Sequence, residues 1–332
     1  MNHPRKLAGF ALLAMLPVNA AWPAQTQPQQ TIHLICLPGV PLPVQIAKAR
    51  GYFKKYGLVV NAEKASSATA LREALGSDSA DIAHSSVENA VALADQSGID
   101  DVIVMGGELS TSELIVQAGI EKVSDLRGHT IILDGEDTAY TLLLKKILTK
   151  NGIKPGVDCE LKVIGLAPQR LQAMRDHPEY TATIQKPPTS ILSERAGLKS
   201  LGSTETLSGI GQSQGIGGFA LRSWAQAHSE LLERYIAAFI EAQRWMMDPA
   251  NKSQVIALIA DEGHMPQDIA EQTYAVDMKA GWSADAQFNV EGFQNMLSLE
   301  PEAAGSRTKP STNKSYYDLT WYRNAVAHLS RP

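Results

Sequence analysis

The stretch Pro43-Val44-Gln45-Ile46-Ala47-Lys48-Ala49-Arg50-Gly51-Tyr52-Phe53-Lys54-Lys55-Tyr56-Gly57-Leu58 sets out a helix, a turn and the start of a strand. Pro43 has the fixed φ that suits a first helical turn, where its missing N–H costs nothing. Gly51 stops the helix, Tyr52 to Tyr56 form a short turn closed by Gly57, and Leu58-Val59-Val60 begins a strand. Upstream, Thr31 to Leu37 alternates apolar and polar residues, the period of a half-buried strand, and Pro38-Gly39 ends it. The unit is therefore strand, helix, strand.

The rhythm continues downstream. Ser66-Ser67 cap a helix that carries Ala68, Leu71 and Leu75 on one face and ends at Gly76. Asp81-Ile82-Ala83 is a brief strand, and Ser86 starts a helix with Val87, Ala90, Val91 and Ala94. Val102 to Met105 and Leu114 to Val116 read as buried strands. A second unit runs through strand Thr130 to Leu133, the turn Asp134 to Thr138, and a helix with Leu142, Leu143, Ile147 and Leu148 inward. Leu161 to Ile164, a helix from Pro168 to Met174, and Thr181 to Ile184 extend it. Ser208 to Gly218 is rich in Gly, Ser and Gln and reads as a crossing or an exposed segment; strand Phe219 to Leu221 and a long amphipathic helix from Ser223 to about Met247 follow. Such alternation predicts an α/β fold with mainly parallel sheets.

Composition narrows the classes. The 332 residues are 44% hydrophobic, 20% charged and 6% aromatic, which excludes a disordered chain and a multi-span membrane protein. A formal charge of −5 without a basic stripe argues against nucleic acid as a partner. Arg5 and Lys6 precede the apolar run Leu7 to Leu16, and Val18 and Ala20 are the small residues of a cleavage site, so residues 1–20 are expected to be a signal peptide. Ala24 is the alternative end, and the run is too short to span a bilayer. Cleavage leaves 28 basic and 35 acidic side chains, a charge of −7, and the periplasm is the expected compartment. Cys36 and Cys159 have no metal-type spacing, and their pairing is open.

Catalytic signatures are few. His84 and Glu88 lie one helical turn apart, but a metal needs three or four converging ligands. The glycines from Gly209 to Gly218 do not follow the first strand in the way a dinucleotide loop does. Small hydroxylated residues instead recur where strands give way to helices: Ser66, Ser67 and Thr69; Ser85 and Ser86; Thr111 and Ser112; and Thr138 beside Gly135. Each could simply cap its helix. Gathered at the carboxyl edge of a parallel sheet, they would offer hydroxyls and helix N–H groups to a polar or anionic ligand.

The Pro43 to Leu58 segment resembles the "P-x-x-x-A-x-x-x-G-[YF]-F-x-x-x-G-L" pattern of periplasmic substrate-binding proteins of the sulfonate, taurine, nitrate and thiamine-precursor importers. Ala70-Leu71, Ala74-Leu75-Gly76-Ser77 and Asp81-Ile82-Ala83 fit the next helix and strand of that pattern. Ser124-Asp125-Leu126-Arg127-Gly128 is similar to its entry into the second lobe, and Gly218 to Trp224 to its return strand. The likeness covers roughly residues 31–280. It departs at Asp176 to Ala182, where relatives commonly carry Gly-x-x-Asp-Ala, and in the following loop Gln185 to Pro188. One enzymatic branch uses a cysteine-rich motif that this chain lacks.

The resemblance implies a type II periplasmic-binding-protein fold, two α/β lobes joined by hinge strands. Lobe one would take residues 31–117 and 213–332, and lobe two 118–212. It implies a monomer that captures a small ligand without chemistry or cofactor and delivers it to an ABC-type permease. The alternatives are a thiamine-precursor binder or a lyase or decarboxylase on the same fold. The expected ligand residues are Gly39, Val40, Leu42, Ser66, Ser67, Thr69, His84, Ser85, Ser86, Thr111 and Ser112 from lobe one. From lobe two they are Gly135, Thr138, Tyr140, Gln185 and Lys186. A sulfonate or carboxylate is favoured, aromatic if Tyr140 or His84 stacks on it; a neutral pyrimidine-like ligand is the alternative, because no arginine sits in those loops.

Overall fold

The computed structural model describes residues 29–136, 138–299 and 315–330. The expected signal peptide lies outside them. Ten strands make two five-stranded sheets. The first contains β1 (Gln30–Cys36), β2 (Leu58–Lys64), β3 (Ile82–Ser86) and β4 (Asp101–Met105). The second contains β5 (Glu113–Val116), β6 (Thr130–Leu133), β7 (Glu160–Val163), β8 (Tyr180–Gln185) and β9 (Lys199–Ser203), before β10 (Ile216–Leu221) returns to the first. The strand orders are β2-β1-β3-β10-β4 and β7-β6-β8-β5-β9.

The opening stretch folds much as its sequence dictates. Helix Leu42–Ala49 has Pro43 in its first turn, and Gly51 and Gly57 take φ of 75° and 66°. Residues Tyr52–Lys55 form a helical turn. Strand β1 then pairs in parallel with both β2 and β3.

The sheets are mixed rather than mainly parallel. β10 runs antiparallel between β3 and β4, and β5 runs antiparallel between β8 and β9. The glycine-rich segment is the crossing, exposed at Gly209, Gly211 and Gln212 and buried where it enters β10 at Gly217 and Gly218. A Cβ on Gly217 would lie 2.8 Å from the Met105 carbonyl oxygen, and one on Gly218 2.8 Å from Met105 Cγ. The glycines admit a central strand where side chains would collide with its neighbour. β5 pairs in the second sheet, so we propose that the first lobe ends before β5 rather than at residue 117.

The lobes are joined by the segments around Glu108 and Gln214. Gly215 N–H donates to the Glu108 carbonyl at 3.1 Å, and Ser110 N–H to the Ser213 carbonyl at 3.1 Å. A third segment joins them: Leu109 N–H donates to the Gly281 carbonyl at 2.8 Å, and Ser283 N–H to that of Gly107 at 3.1 Å. The buried Gln214 amide pins the group, donating to the Glu108 and Ile216 carbonyls and accepting from Asn289 N–H.

Behind the first sheet lies helix Ser229–Met247, which packs Leu232, Tyr235, Ile236, Phe239 and Ile240 against Ile32, Leu34, Val102 and Val104. The expected single long helix is divided at His228, with a short helix Arg222–Ala227 before it. The opposite face buries Leu71, Leu75, Val91 and Phe293. In the second lobe, helix Ala139–Lys150 lays Leu143 and Ile147 over Leu114, Val116 and Ile131. Strand β9 and the short helices Thr189–Arg195 and Thr204–Ser208 complete that lobe. Cys36 and Cys159 are free buried thiols, one in each lobe.

Candidate functional site

The carboxyl ends of the parallel strands point toward the junction of the lobes, but the two edges are built differently. At the first edge, β3 runs through Ser86, and the helix after it begins only at Glu88. His84, Ser85 and Ser86 are therefore strand residues, not a helix start. His84 is 1% exposed, stacks on Phe239 with centroids 5.4 Å apart, and its Nε2 lies 2.7 Å from Tyr235 Oη. Burial pulls its pKa down to about 3, so the ring is neutral. An imidazole so enclosed does not stack on a ligand, which corrects that expectation. Ser85 is likewise spent internally, accepting from Asn89 Nδ2 at 3.1 Å, while Asn89 accepts from Arg72.

Ser67 caps its own helix, its Oγ accepting from Ala70 N–H at 3.1 Å, and Ser66, Ser67 and Thr69 are exposed. The half-buried Gly39 and Val40 lie in the loop after β1 and the half-buried Leu42 opens the helix that follows; the loop starts beside His84, whose carbonyl accepts from Leu37 N–H. Thr111 and Ser112 lead into β5, not into a helix. Ser112 is tied to the helix Thr204–Ser208 of the second lobe, with its Oγ 2.7 Å from Thr204 Oγ1.

At the second edge the turn after β6 closes on itself. Thr138 Oγ1 donates to Asp134 at 2.6 Å and accepts from Thr141 N–H, while Thr141 Oγ1 donates to the Gly135 carbonyl at 2.6 Å. These bonds present Tyr140 in the first turn of helix Ala139–Lys150. A small pocket beneath is lined by Asp134, Tyr140, Thr141, Arg170 and Thr183 among others. Arg170 is 2% exposed, not a surface residue. It donates to Thr183 Oγ1 at 2.9 Å and to the carbonyls of Ile184 (3.0 Å) and Gly165. Gln185 is fully buried in register with Glu113, and neither amide atom has a hydrogen-bond partner.

The Glu88 and Lys186 side chains both reach across the junction. The Glu88 carboxyl accepts from Ser86 Oγ on its own lobe and from Ala139 N–H, 3.3 Å away, on the other. Lys186, after β8, forms an ion pair with Glu108 in the crossing segment. Tyr140 lies among these groups. Burial raises its phenol to about 12; the Lys186 charge opposes this, while Glu108, Asp134 and Glu88 add to it. Burial also raises the Glu88 carboxyl. The Asp277 carboxyl is pushed up to about 7 by burial and by Glu108, against the pull of Lys186.

The structure thus brings together Ser86, Thr138, Tyr140 and Lys186 from the expected residues. It adds Glu88, Glu108, Asp134 and Asp277. Glu88 has a signal in sequence, two residues beyond Ser86 and one helical turn after His84. Asp277 had none, since the helical C-terminal third gives no sign of returning to the junction. Among the described residues, no group of three His, Cys, Asp or Glu side chains gathers as a metal site. The set offers acceptors, a phenol and a paired ammonium: it can hold a small polar molecule.

Comparison with solved structures shows the same fold. The ligand-binding component of an ABC-type import system from Staphylococcus aureus, solved with zinc bound, superposes with a TM-score of 0.72 at 17% identity, covering 90% of this chain and 99% of that one. The periplasmic aliphatic sulphonate-binding protein of Escherichia coli gives 0.71 at 19% identity, covering 87% and 92%. The periplasmic nitrate-binding protein of Synechocystis PCC 6803 gives 0.70 at 15%, covering 92% and 90%. No curated protein matches the sequence. The model of the NMT1-like family matches residues 32–260, more than half of the chain. With its two lobes in the periplasmic-binding-protein arrangement, this chain belongs to the NMT1-like family.

Proposed function

We propose that the protein is an extracytoplasmic solute-binding protein that captures a small organic ligand between its lobes and hands it to an ABC-type importer. The observation that carries this reading is the convergence of Glu88, Tyr140, Lys186 and Glu108 from both lobes and the crossing segment. A ligand enclosed there would favour one lobe arrangement by the contacts it makes with both, and that arrangement is what a transporter would distinguish. The structural relative described as the ligand-binding component of an ABC-type import system supports the partner. Residues 1–20 support export, and among the described residues no helix is long and apolar enough to cross a membrane.

A sulfonate or carboxylate is the first ligand reading, drawn from the hydroxyls and helix start at Thr138 and Tyr140. A second reading is a neutral, pyrimidine-like molecule bearing an acceptor beside a donor. One observation favours it: Glu88 already offers its carboxyl to Ala139 N–H, and Lys186 is already paired. A ligand inserted between Glu88 and Ala139 must give an acceptor to the N–H and a donor to the carboxyl, because unpaired buried groups cost about 1–3 kcal/mol each. Native mass spectrometry of freshly purified protein identifies the retained molecule and separates the two. Incubation should return that molecule unchanged while raising the melting temperature by mass action. A product that grows with protein concentration would refute the binding-protein reading.

A further inference from the structure

We propose that Glu88 is a built-in latch that holds the two lobes together before any ligand arrives. The inference rests on the two-lobed capture reading, but its test uses the ligand-free chain, so the two can fail separately. Glu88 opens helix Glu88–Gln96 of the first lobe, and its carboxyl is fixed from behind by the Ser86 hydroxyl. Its other oxygen lies 3.3 Å from Ala139 N, at the start of the twelve-residue helix Ala139–Lys150 of the second lobe.

The free N–H groups of that first turn account for the choice of partner. Thr141 N–H is taken by the Thr138 side chain and Leu142 N–H by the Thr138 carbonyl. Among the described residues, the acceptor of Ala139 N–H lies across the junction, in Glu88. A helix N-terminus carries partial positive charge, so an acceptor held against it is favoured. The latch is thus a contact between lobes that each lobe leaves unfinished alone. The Lys186–Glu108 pair ties the second lobe to the crossing segment, close to the axis about which the lobes would turn. The Arg195–Asp268 pair joins exposed helices away from the strand ends. Glu88 is the contact that joins the facing edges themselves.

The test measures lobe separation in the full ligand-free chain, checked for absence of bound ligand by its native mass. Spin labels at Glu73→Cys and Glu136→Cys, both exposed and on opposite lobes, report the distance distribution. The endogenous thiols are buried, and burial raises the Cys36 thiol to about 12, so they should label slowly. Glu88→Ala should shift the closed-to-open ratio toward open by roughly 5- to 150-fold, the span expected for one lost buried hydrogen bond. Glu88→Gln, which keeps a carbonyl acceptor for Ala139, should shift it less. Asp248→Ala removes the cap of the short helix Pro249–Asn251 within the first lobe and should leave the distance unchanged. If Glu88→Ala does not melt cooperatively, Ser86→Ala, which frees the carboxyl while leaving it in place, should move the distribution in the same direction. A wild-type distribution in a folded Glu88→Ala chain, or in Ser86→Ala where that variant decides, would overturn the latch.

Discussion

The two facing edges share a strand-to-helix geometry and differ in what packs behind them. Behind β3 runs helix Ser229–Met247, whose Tyr235 and Phe239 enclose His84 and draw it into the core. Behind β8 runs helix Ala167–Asp176, which contributes the buried Arg170 and little apolar surface. The first edge is sealed by aromatic packing, while the second remains polar and presents Tyr140 and Lys186 toward its partner. A polar residue at a strand end becomes a candidate for binding only where the layer behind it does not claim it.

The sharpest test of that contrast is truncation on each side. Phe239→Ala should lower stability by about 3–5 kcal/mol, the usual range for a buried aromatic, in a denaturant titration. Tyr140→Ala should cost much less, because its ring is only half buried. Equal losses would mean that both edges are core.

Acidity separates the same regions by sign. His84 is neutral in the fold, with a pKa of about 3 against an ordinary 6.5, so the unfolded chain binds more protons between those values. The stability it contributes is complete above pH 6.5 and lost as pH falls toward 3, about 3 kcal/mol between pH 7 and 4. Asp277 acts the opposite way. Its carboxyl, raised to about 7, binds a proton more readily in the fold, so ionisation costs stability as pH rises from 3.8 through 7. Asp277→Asn should therefore gain about 4 kcal/mol over wild type at pH 8 and nothing at pH 4, measured by thermal melts at both. A variant without this pH-dependent gain would remove Asp277 from the junction.

The smallest effect distinguishes capping from binding. Ser67→Ala should cost about 1 kcal/mol of stability, the value of a lost cap, with ligand affinity unchanged in a calorimetric titration. Ser86→Ala should weaken ligand binding roughly 5- to 150-fold with less change in folding. The reverse pattern would return the site to the helix starts at Ser66 and Ser67.

Much of the fold was legible because the signals were local. Pro43, Gly51 and Gly57 punctuate the chain by backbone geometry alone, and Thr138 caps its helix where the turn residues placed it. The antiparallel insertion of β10 was not legible, since the glycines that permit it are explained only by the neighbouring Met105. The site followed the same division. Tyr140 follows, and Lys186 lies in, a turn that the sequence marks, and both reach the junction. His84 and Gln185 were misjudged because burial is decided by segments far along the chain, Tyr235 and Phe239 for the first and the pairing with Glu113 for the second. Glu88 was set aside with a rejected metal site, although its role depends on an N–H of the other lobe.

The central claim is that a small molecule binds at the junction around Tyr140. Native mass spectrometry of wild type and Tyr140→Ala, purified from the same culture, tests it most directly. The account predicts one small-molecule adduct per wild-type chain and its loss from the variant, which should remain folded. An adduct that Tyr140→Ala retains at wild-type occupancy would contradict it.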